Sequence, residues 1–105
     1  MPRIAALATI KAAEGKAKEL ETAFTEMIAK VQAEQGTLVY ALHQKKDEPG
    51  TFVFYELYED DSALQAHSTS EAMKELQGKL AGLLGGRPEI VRLETVANKG
   101  LPPEA

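Results

Sequence analysis

The chain has 105 residues, of which 44% are hydrophobic and 27% charged, an ordinary composition for a globular protein. Its net charge of −4, from 12 basic and 16 acidic residues, argues against nucleic acid or an anionic membrane as the main partner. The sequence has no cysteine, which excludes disulfides and thiolate chemistry, and no apolar run long enough to cross a bilayer. We therefore expect a cytoplasmic protein.

Length and composition predict a single domain over residues 1–105, with a core over 3–96 and a polar tail over 97–105. The first element is predicted to be a strand from Arg3 to Lys11, because this short apolar run contains β-branched residues.

An amphipathic helix is predicted next, from Lys16 to Gln35, and Gly36 is expected to end it. Apolar residues recur at helical spacing and would form one buried stripe. They are Leu20, Phe24, Met27, Ile28 and Val31.

Two strands are predicted to follow as a hairpin, from Thr37 to Lys46 and from Thr51 to Glu59. Residues 47–50 join them, and the Pro and Gly in this segment favour a turn. Alternation places Leu38, Tyr40 and Leu42 on one face of the first strand, and Val39, Ala41 and His43 on the other.

A short helix is predicted after the hairpin, opened by residues 60–62. Ser62 and Gln65 have the spacing of a capping box, in which the two side chains satisfy the first free N–H groups of a helix. Ser68 and Glu71 repeat this spacing, which indicates a second helical segment.

The second segment is expected from near Ser70 to about Leu84, stopped by the glycine pair at 85–86, and a last strand from Glu89 to Val96. The order β-α-β-β-α-β is that of an α+β, ferredoxin-like fold with a four-stranded antiparallel sheet and both helices on one face. The strands are apolar on both faces, so the uncovered face predicts a homodimer packed sheet to sheet.

Several short motifs occur in an order that resembles one known family. The strongest is residues 52–61, FVFYELYEDD, and weaker ones lie along the rest of the chain. The weaker ones are Gly15-Lys16, Glu34-Gln35-Gly36, Tyr40-Ala41-Leu42-His43, Ala63-Leu64, Ala66-His67-Ser68 and Pro88-Glu89-Ile90. Together they resemble the antibiotic biosynthesis monooxygenase (ABM) domain family of dimeric α+β barrels, especially its quinol monooxygenase-like members.

The resemblance implies a homodimer whose sheets form a barrel, with a small apolar cavity between sheet and helices in each subunit. The best understood relatives oxidise phenols or quinols with O2 and use no metal or flavin. The family also includes heme-degrading enzymes and an isomerase of a phosphorylated signalling molecule. Heme degradation is disfavoured here, because Tyr58 stands where many relatives carry Trp and the only Asn is Asn98 in the tail. Thr37 stands where many relatives have Cys.

The expected function is therefore a cofactor-independent monooxygenase that acts on a small phenolic or quinol-type substrate with O2. Two alternatives stay open: an isomerase or lyase-type enzyme acting on a small carbonyl compound, and a non-catalytic dimer that binds a small ligand. The sequence contains no metal-ligand spacing and no glycine-rich dinucleotide motif, so no cofactor is expected.

His67 is the candidate catalytic base, because an unperturbed imidazole titrates near neutral pH. The alternative is a histidine on the helix surface or at its cap. Glu56 is the second catalytic candidate, since a carboxylate in an apolar strand is costly to bury unless it is paired. It could orient His67 or a substrate hydroxyl, or pair with Lys11 or Arg92 on a neighbouring strand.

Tyr58 is the third catalytic candidate and Tyr40 a substrate-binding one, because their hydroxyls could donate hydrogen bonds inside an aromatic pocket. The helix residues Phe24, Met27 and Met73 are expected to pack in the core and to form cavity walls. His43 is expected to have a structural role, with the pocket or the dimer interface as alternatives.

Overall fold

The computed structural model describes residues 2–104, which contain four strands and three helices. The elements are β1 (Ile4–Lys11), α1 (Ala17–Val31), β2 (Thr37–Gln44), β3 (Thr51–Tyr58), α2 (Asp61–Ser68), α3 (Glu71–Lys79) and β4 (Glu89–Leu93). The strands form one antiparallel sheet in the order β2-β3-β1-β4. This confirms the predicted α+β, ferredoxin-like arrangement, with the second helical region divided into α2 and α3. No helix within residues 2–104 is long and apolar enough to cross a membrane.

The α1 helix and the β4 strand are shorter than predicted. The α1 helix ends at Val31 rather than at Gln35, because the chain leaves the helix through a tight turn in which the Glu34 N–H donates to the Val31 carbonyl over 2.8 Å. The β4 strand ends at Leu93, whereas the prediction extended it to Val96. The other strands begin and end close to the predicted positions.

The α2 helix is capped by Asp60, and the predicted capping by Ser62 is wrong. The Asp60 backbone is extended, and its carboxylate accepts a hydrogen bond of 2.9 Å from the Ala63 N–H. Ser62 already lies in the first helical turn, where its side chain cannot act as the N-cap.

The α3 helix begins after Ser70, as predicted, but its cap and its end differ from the prediction. The Ser70 hydroxyl oxygen accepts from the N–H of residue 73 over 3.1 Å, while Ser68 is the last residue of α2. The helix ends at Lys79 instead of continuing to Leu84. Leu84 is extended and pairs with Ala12 in an isolated antiparallel bridge, which ties the segment after α3 to the end of β1.

The helix-facing side of the sheet contains the core. Phe24 of α1 makes edge-to-face contacts with Phe52 and Phe54 of β3, with ring centroids 5.8 and 4.9 Å apart. The predicted stripe of α1 is confirmed, although Ile28 is only partly buried. Its fully buried members are Leu20, Phe24, Met27 and Val31.

The other face of the sheet is apolar and only partly covered. Leu7 of β1 pairs with Tyr55 on one side and Val91 on the other. Leu7 and Tyr55 are half-buried, whereas Val91 and Leu93 on the edge strand are 47% and 37% exposed. This is the face for which the sequence predicts a partner subunit.

The C-terminal tail returns to the start of β1. The Arg3 guanidinium donates hydrogen bonds to the carbonyls of Pro102 and Pro103, the second over 2.9 Å. A planar guanidinium can reach two acceptors at once, so one side chain holds two consecutive residues. Residues 102 and 103 of the tail are therefore held against the start of β1.

Candidate functional site

His67 lies at the end of α2 with its ring inside the protein. Its side chain is 3% exposed, and its ring lies close to those of Tyr40 and Tyr58. The centroid distances are 5.0 Å to Tyr40 and 5.3 Å to Tyr58. His67 therefore lies beside both predicted tyrosines, and the alternative of a surface histidine is wrong.

A close contact at Gly36 sets the position of α2. A Cβ atom on Gly36 would lie 2.5 Å from the Cβ of Ala63, in the first turn of α2. The Gly36 carbonyl also accepts a hydrogen bond of 2.9 Å from the Glu59 N–H. Because glycine has no side chain, α2 can pack directly on the turn between α1 and β2. His67 is thereby held next to that turn.

Glu34, in the same turn, is the hydrogen-bonding partner of His67. Its Oε1 atom lies 2.8 Å from His67 Nδ1, and the Thr37 hydroxyl donates to the same oxygen over 2.7 Å. The Glu34 side chain is 21% exposed, so the pair is partly shielded from water. Glu34 is absent from the residues predicted from the sequence. The predicted helix extended past it, and only the Glu34-Gln35-Gly36 motif of the resemblance includes it.

Glu56 lies in the middle of a row that crosses all four strands. Tyr40 of β2 and Ala6 of β1 are its cross-strand partners, and Arg92 of β4 pairs with Ala6. The Tyr58 hydroxyl donates to Glu56 Oε1 over 2.5 Å. Glu56 and Tyr58 are therefore in direct contact.

The ion pairs predicted for Glu56 are not formed within residues 2–104. Lys11 pairs with Thr51 at the other end of the β1–β3 ladder, and Glu56 forms no ion pair within residues 2–104. Direct pairing of Glu56 with Lys11 or with Arg92 is therefore wrong. Burial raises the pKa of the Glu56 carboxyl, and the Tyr58 hydrogen bond, His67 and Arg92 lower it in part.

Both tyrosine hydroxyls keep their protons near neutral pH. Burial raises the pKa of Tyr40, and the negative charges of Glu56 and Glu34 raise it further. Burial also raises the pKa of Tyr58, followed by its hydrogen bond to Glu56. The two hydroxyls are therefore hydrogen-bond donors at neutral pH.

His67, Tyr40, Tyr58, Glu34 and Glu56 form one cluster, in which two polar atoms have no hydrogen-bonding partner within residues 2–104. Within residues 2–104, neither the Tyr40 hydroxyl nor His67 Nε2 hydrogen-bonds another protein group, and no buried side-chain N or O atom lacks a partner. Both atoms therefore border space that water can reach. The arrangement can accept a proton at the imidazole and donate a hydrogen bond from Tyr40.

The predicted cavity walls belong to the packed core. Phe24 and Met27 are 0% and 2% exposed, and Met73 is half-buried against the same core. Five surface cavities within residues 2–104 lie elsewhere on the protein and do not border His67. His43 is exposed near the end of β2, with Nδ1 3.3 Å from the Val53 carbonyl oxygen, and lies outside the cluster.

No metal centre is built into this part of the chain. Within residues 2–104, no three His, Cys, Asp or Glu side chains lie close enough together to hold a metal ion. The functional groups of the cluster are the His67 imidazole, the carboxyl groups of Glu34 and Glu56, and the hydroxyls of Tyr40 and Tyr58.

Comparison with known families assigns the chain. The family model described as "Antibiotic biosynthesis monooxygenase" matches residues 3–79, most of the sequence. The chain belongs to this family. The match confirms the family that the sequence motifs resemble. It supports a general monooxygenase-like function for this ABM protein.

Individual relatives agree with this assignment. The Bacillus subtilis (strain 168) protein named "Putative monooxygenase YcnE" is 29% identical over 87 residues, which is 83% of this ABM protein and 92% of the relative. The structure of a "putative antibiotic biosynthesis monooxygenase" from Caulobacter crescentus CB15 is 34% identical with a TM-score of 0.86, covering 91% and 92% of the two chains. PA3566 from Pseudomonas aeruginosa is 32% identical with a TM-score of 0.86, covering 92% and 97%.

Proposed function

We propose that this ABM protein is a cofactor-independent monooxygenase that oxidises a small phenolic or quinol-type substrate with O2. The observation that carries the proposal is the position of His67, whose buried ring lies close to both Tyr40 and Tyr58 while Nε2 has no partner within residues 2–104. An imidazole in these surroundings can remove a proton from a hydroxyl group brought next to it.

The first step is the transfer of the substrate hydroxyl proton to His67 Nε2. The resulting phenolate is rich in electrons and reduces O2, which the neutral phenol does much more slowly. For a hydroquinone, the balanced reaction with O2 gives a hydroxyquinone and water. The substrate supplies all four electrons, one oxygen atom enters the product, and the other leaves as water.

Tyr40 and Tyr58 have different roles in this scheme. The Tyr58 hydroxyl is engaged with Glu56, so it fixes the carboxyl and closes one side of the imidazole. The Tyr40 hydroxyl has no partner within residues 2–104, and burial keeps it protonated at neutral pH by raising its pKa. Tyr40 can therefore donate a hydrogen bond to the substrate oxygen as negative charge develops there.

The active form is proposed to be a homodimer that joins the outer faces of two sheets. The support is the apolar character of that face, where Val91 and Leu93 are 47% and 37% exposed and Tyr55 is half-buried. Such a patch is unusual on a monomer. Sedimentation analysis should give twice the chain mass, and Val91→Asp should shift the protein toward the monomer. A monomeric wild type would contradict this arrangement.

A non-catalytic dimer is the second candidate, and one observation favours it. The five surface cavities described above do not border His67, and Phe24 and Met27 are packed in the core. A catalytic site would then have to open when the substrate binds. This candidate predicts that replacing His67 changes stability alone.

O2 consumption separates the two candidates. Metal-stripped protein is mixed with a panel of hydroquinones and polyphenols, with His67→Ala in parallel and His43→Ala as a control outside the cluster. Saturable uptake is expected for the wild type and for His43→Ala, with a loss of about 10²- to 10⁴-fold in His67→Ala. Uptake no faster than autoxidation, or equal in His67→Ala, would contradict the monooxygenase proposal.

A further inference from the structure

We infer that Glu34 is the positioning residue for His67 and fixes the tautomer in which Nδ1 carries the proton and Nε2 the lone pair. This inference rests on the proposed function, in which Nε2 receives the substrate proton. It assigns a role to a residue outside the predicted site, on the turn between α1 and β2.

The first step of the argument is the hydrogen bond itself. Glu34 Oε1 and His67 Nδ1 are 2.8 Å apart. An ionised carboxylate can only accept, so Nδ1 has to be the donor. A neutral imidazole has one N–H, which leaves the lone pair on Nε2. The contact thus selects the tautomer that a base acting through Nε2 requires.

The second step concerns what holds Glu34 in place. The Thr37 hydroxyl donates to the same carboxylate oxygen over 2.7 Å, and the Thr37 N–H donates to the Glu34 carbonyl over 3.3 Å. The side chain and the backbone carbonyl of Glu34 are therefore both hydrogen-bonded to Thr37. A carboxylate whose orientation is fixed in this way can orient a second side chain.

The third step concerns the distance between the two elements. His67 is on α2 and Glu34 precedes β2, so their separation depends on how closely α2 packs on the turn. The contact between Gly36 and Ala63, where a Cβ on the glycine would lie 2.5 Å from the alanine Cβ, permits this close approach. The glycine therefore contributes to the site without touching the imidazole.

The other carboxylate near His67 does not compete for this role. Glu56 influences His67 electrostatically, but its Oε1 atom accepts from the Tyr58 hydroxyl over 2.5 Å. Within residues 2–104, the hydrogen bond that His67 makes through its ring is the one to Glu34. Glu34 is therefore the hydrogen-bonding partner of the imidazole, and Glu56 is the partner of Tyr58.

The tautomer can be measured directly, without any substrate. The chain has two histidines, so 15N NMR of a His43→Gln protein reports on His67 alone. In this parent protein, the neutral imidazole should carry its proton on Nδ1. In Glu34→Gln the amide can accept or donate, so a mixture of tautomers is expected. A proton on Nε2 in the parent protein, or unchanged populations in Glu34→Gln, would overturn the inference.

Activity provides the second readout. Glu34→Gln should lower kcat by about tenfold or more. This loss should stay below the 10²- to 10⁴-fold loss expected for removing the base, and KM should change less than kcat. Glu21→Gln, an exposed carboxylate of α1, is the control for loss of one negative charge. Thr37→Val keeps the carboxylate but removes its support, and should show an intermediate tautomer mixture.

The outcomes separate this inference from the proposed function. An Nδ1–H tautomer that Glu34→Gln disturbs, in a protein without O2 uptake, would support the positioning role and contradict the function. O2 uptake that depends on His67 but is equal in Glu34→Gln would support the function and contradict the positioning role. If Glu34→Gln does not fold, the tautomer of the parent protein still decides.

Discussion

The hydroxyl of Tyr58 donates a hydrogen bond of 2.5 Å to Glu56, two residues earlier on β3. Alternate residues of a strand point to the same face, so both side chains lie under the helices. Tyr58 is fully buried, and burial raises the pKa of the Glu56 carboxyl. Within residues 2–104, Glu56 forms no salt bridge, and the neutral Tyr58 hydroxyl is its hydrogen-bond donor.

Removing this donor should destabilise the protein. In Tyr58→Phe the ring still fills its space, but the buried carboxyl loses a hydrogen bond, at a cost of about 1 to 3 kcal/mol in the free energy of unfolding. Urea unfolding measures the change, and Tyr55→Phe on the half-buried outer face is the matched control. Equal stability of Tyr58→Phe and the wild type would show that this hydrogen bond does not stabilise the fold.

Glu56 should make stability depend on pH in a direction opposite to that of an ordinary salt-bridged carboxylate. Because burial raises its pKa, the folded state binds the proton more tightly than the unfolded state. The stability that Glu56 contributes is fully present below the ordinary carboxyl pKa of about 4.3. It is lost as the pH rises through the raised value.

The variant Glu56→Gln has no proton to lose and isolates this effect. We compare the free energy of unfolding of the variant with that of the wild type. The difference, variant minus wild type, should become more positive as the pH rises from about 4 toward neutrality. Urea unfolding at a series of pH values provides this difference, in which the contributions of all other groups cancel. A difference that is constant with pH would contradict the raised pKa.

Stability should depend on the combined size of the side chains at positions 36 and 63. Gly36→Ala places a Cβ atom 2.5 Å from the Ala63 Cβ and should cost about 1 to 3 kcal/mol through overpacking. Ala63→Gly in the same protein removes the atom it meets and should recover part of the loss. Thermal or urea unfolding of the two single variants and the double variant gives the coupling. Simple additivity would mean that the two residues do not limit how closely α2 approaches.

The cap of α2 gives a paired test of the helix boundary. Asp60→Ala removes the side chain that accepts from the Ala63 N–H, and should cost about 1 kcal/mol of stability. Ser62→Ala, two residues later on the same exposed turn, should change stability by less than about 0.5 kcal/mol. Chemical unfolding compares them, and a larger effect of the serine variant would restore the capping by Ser62.

The elements of this fold were predictable because each depends on local patterns. Alternation placed Tyr40 and His43 on opposite faces of β2, and the 3.6-residue period found the stripe containing Phe24. Boundaries were less predictable, since Ser62 and Asp60 are both good caps and the choice depends on the backbone conformation that packing imposes.

The site was predictable only in part. His67, Glu56 and Tyr58 share one stretch of sequence, so their proximity follows from a strand that leads into a helix. Glu34 is 33 residues from His67, and its role depends on a tertiary contact that no local pattern encodes. Neither periodicity nor charge distinguishes it from the exposed carboxylates of α1, such as Glu21.

The most direct test of monooxygenation is the fate of the two oxygen atoms of O2. Metal-stripped protein should be supplied with 18O2 and a hydroquinone that it oxidises, and the product analysed by mass spectrometry within a few turnovers. One labelled atom in the hydroxyquinone, with the second in water and the yield abolished in His67→Ala, is the result we predict. Unlabelled quinone, with hydrogen peroxide or no O2 consumption, would contradict a monooxygenase.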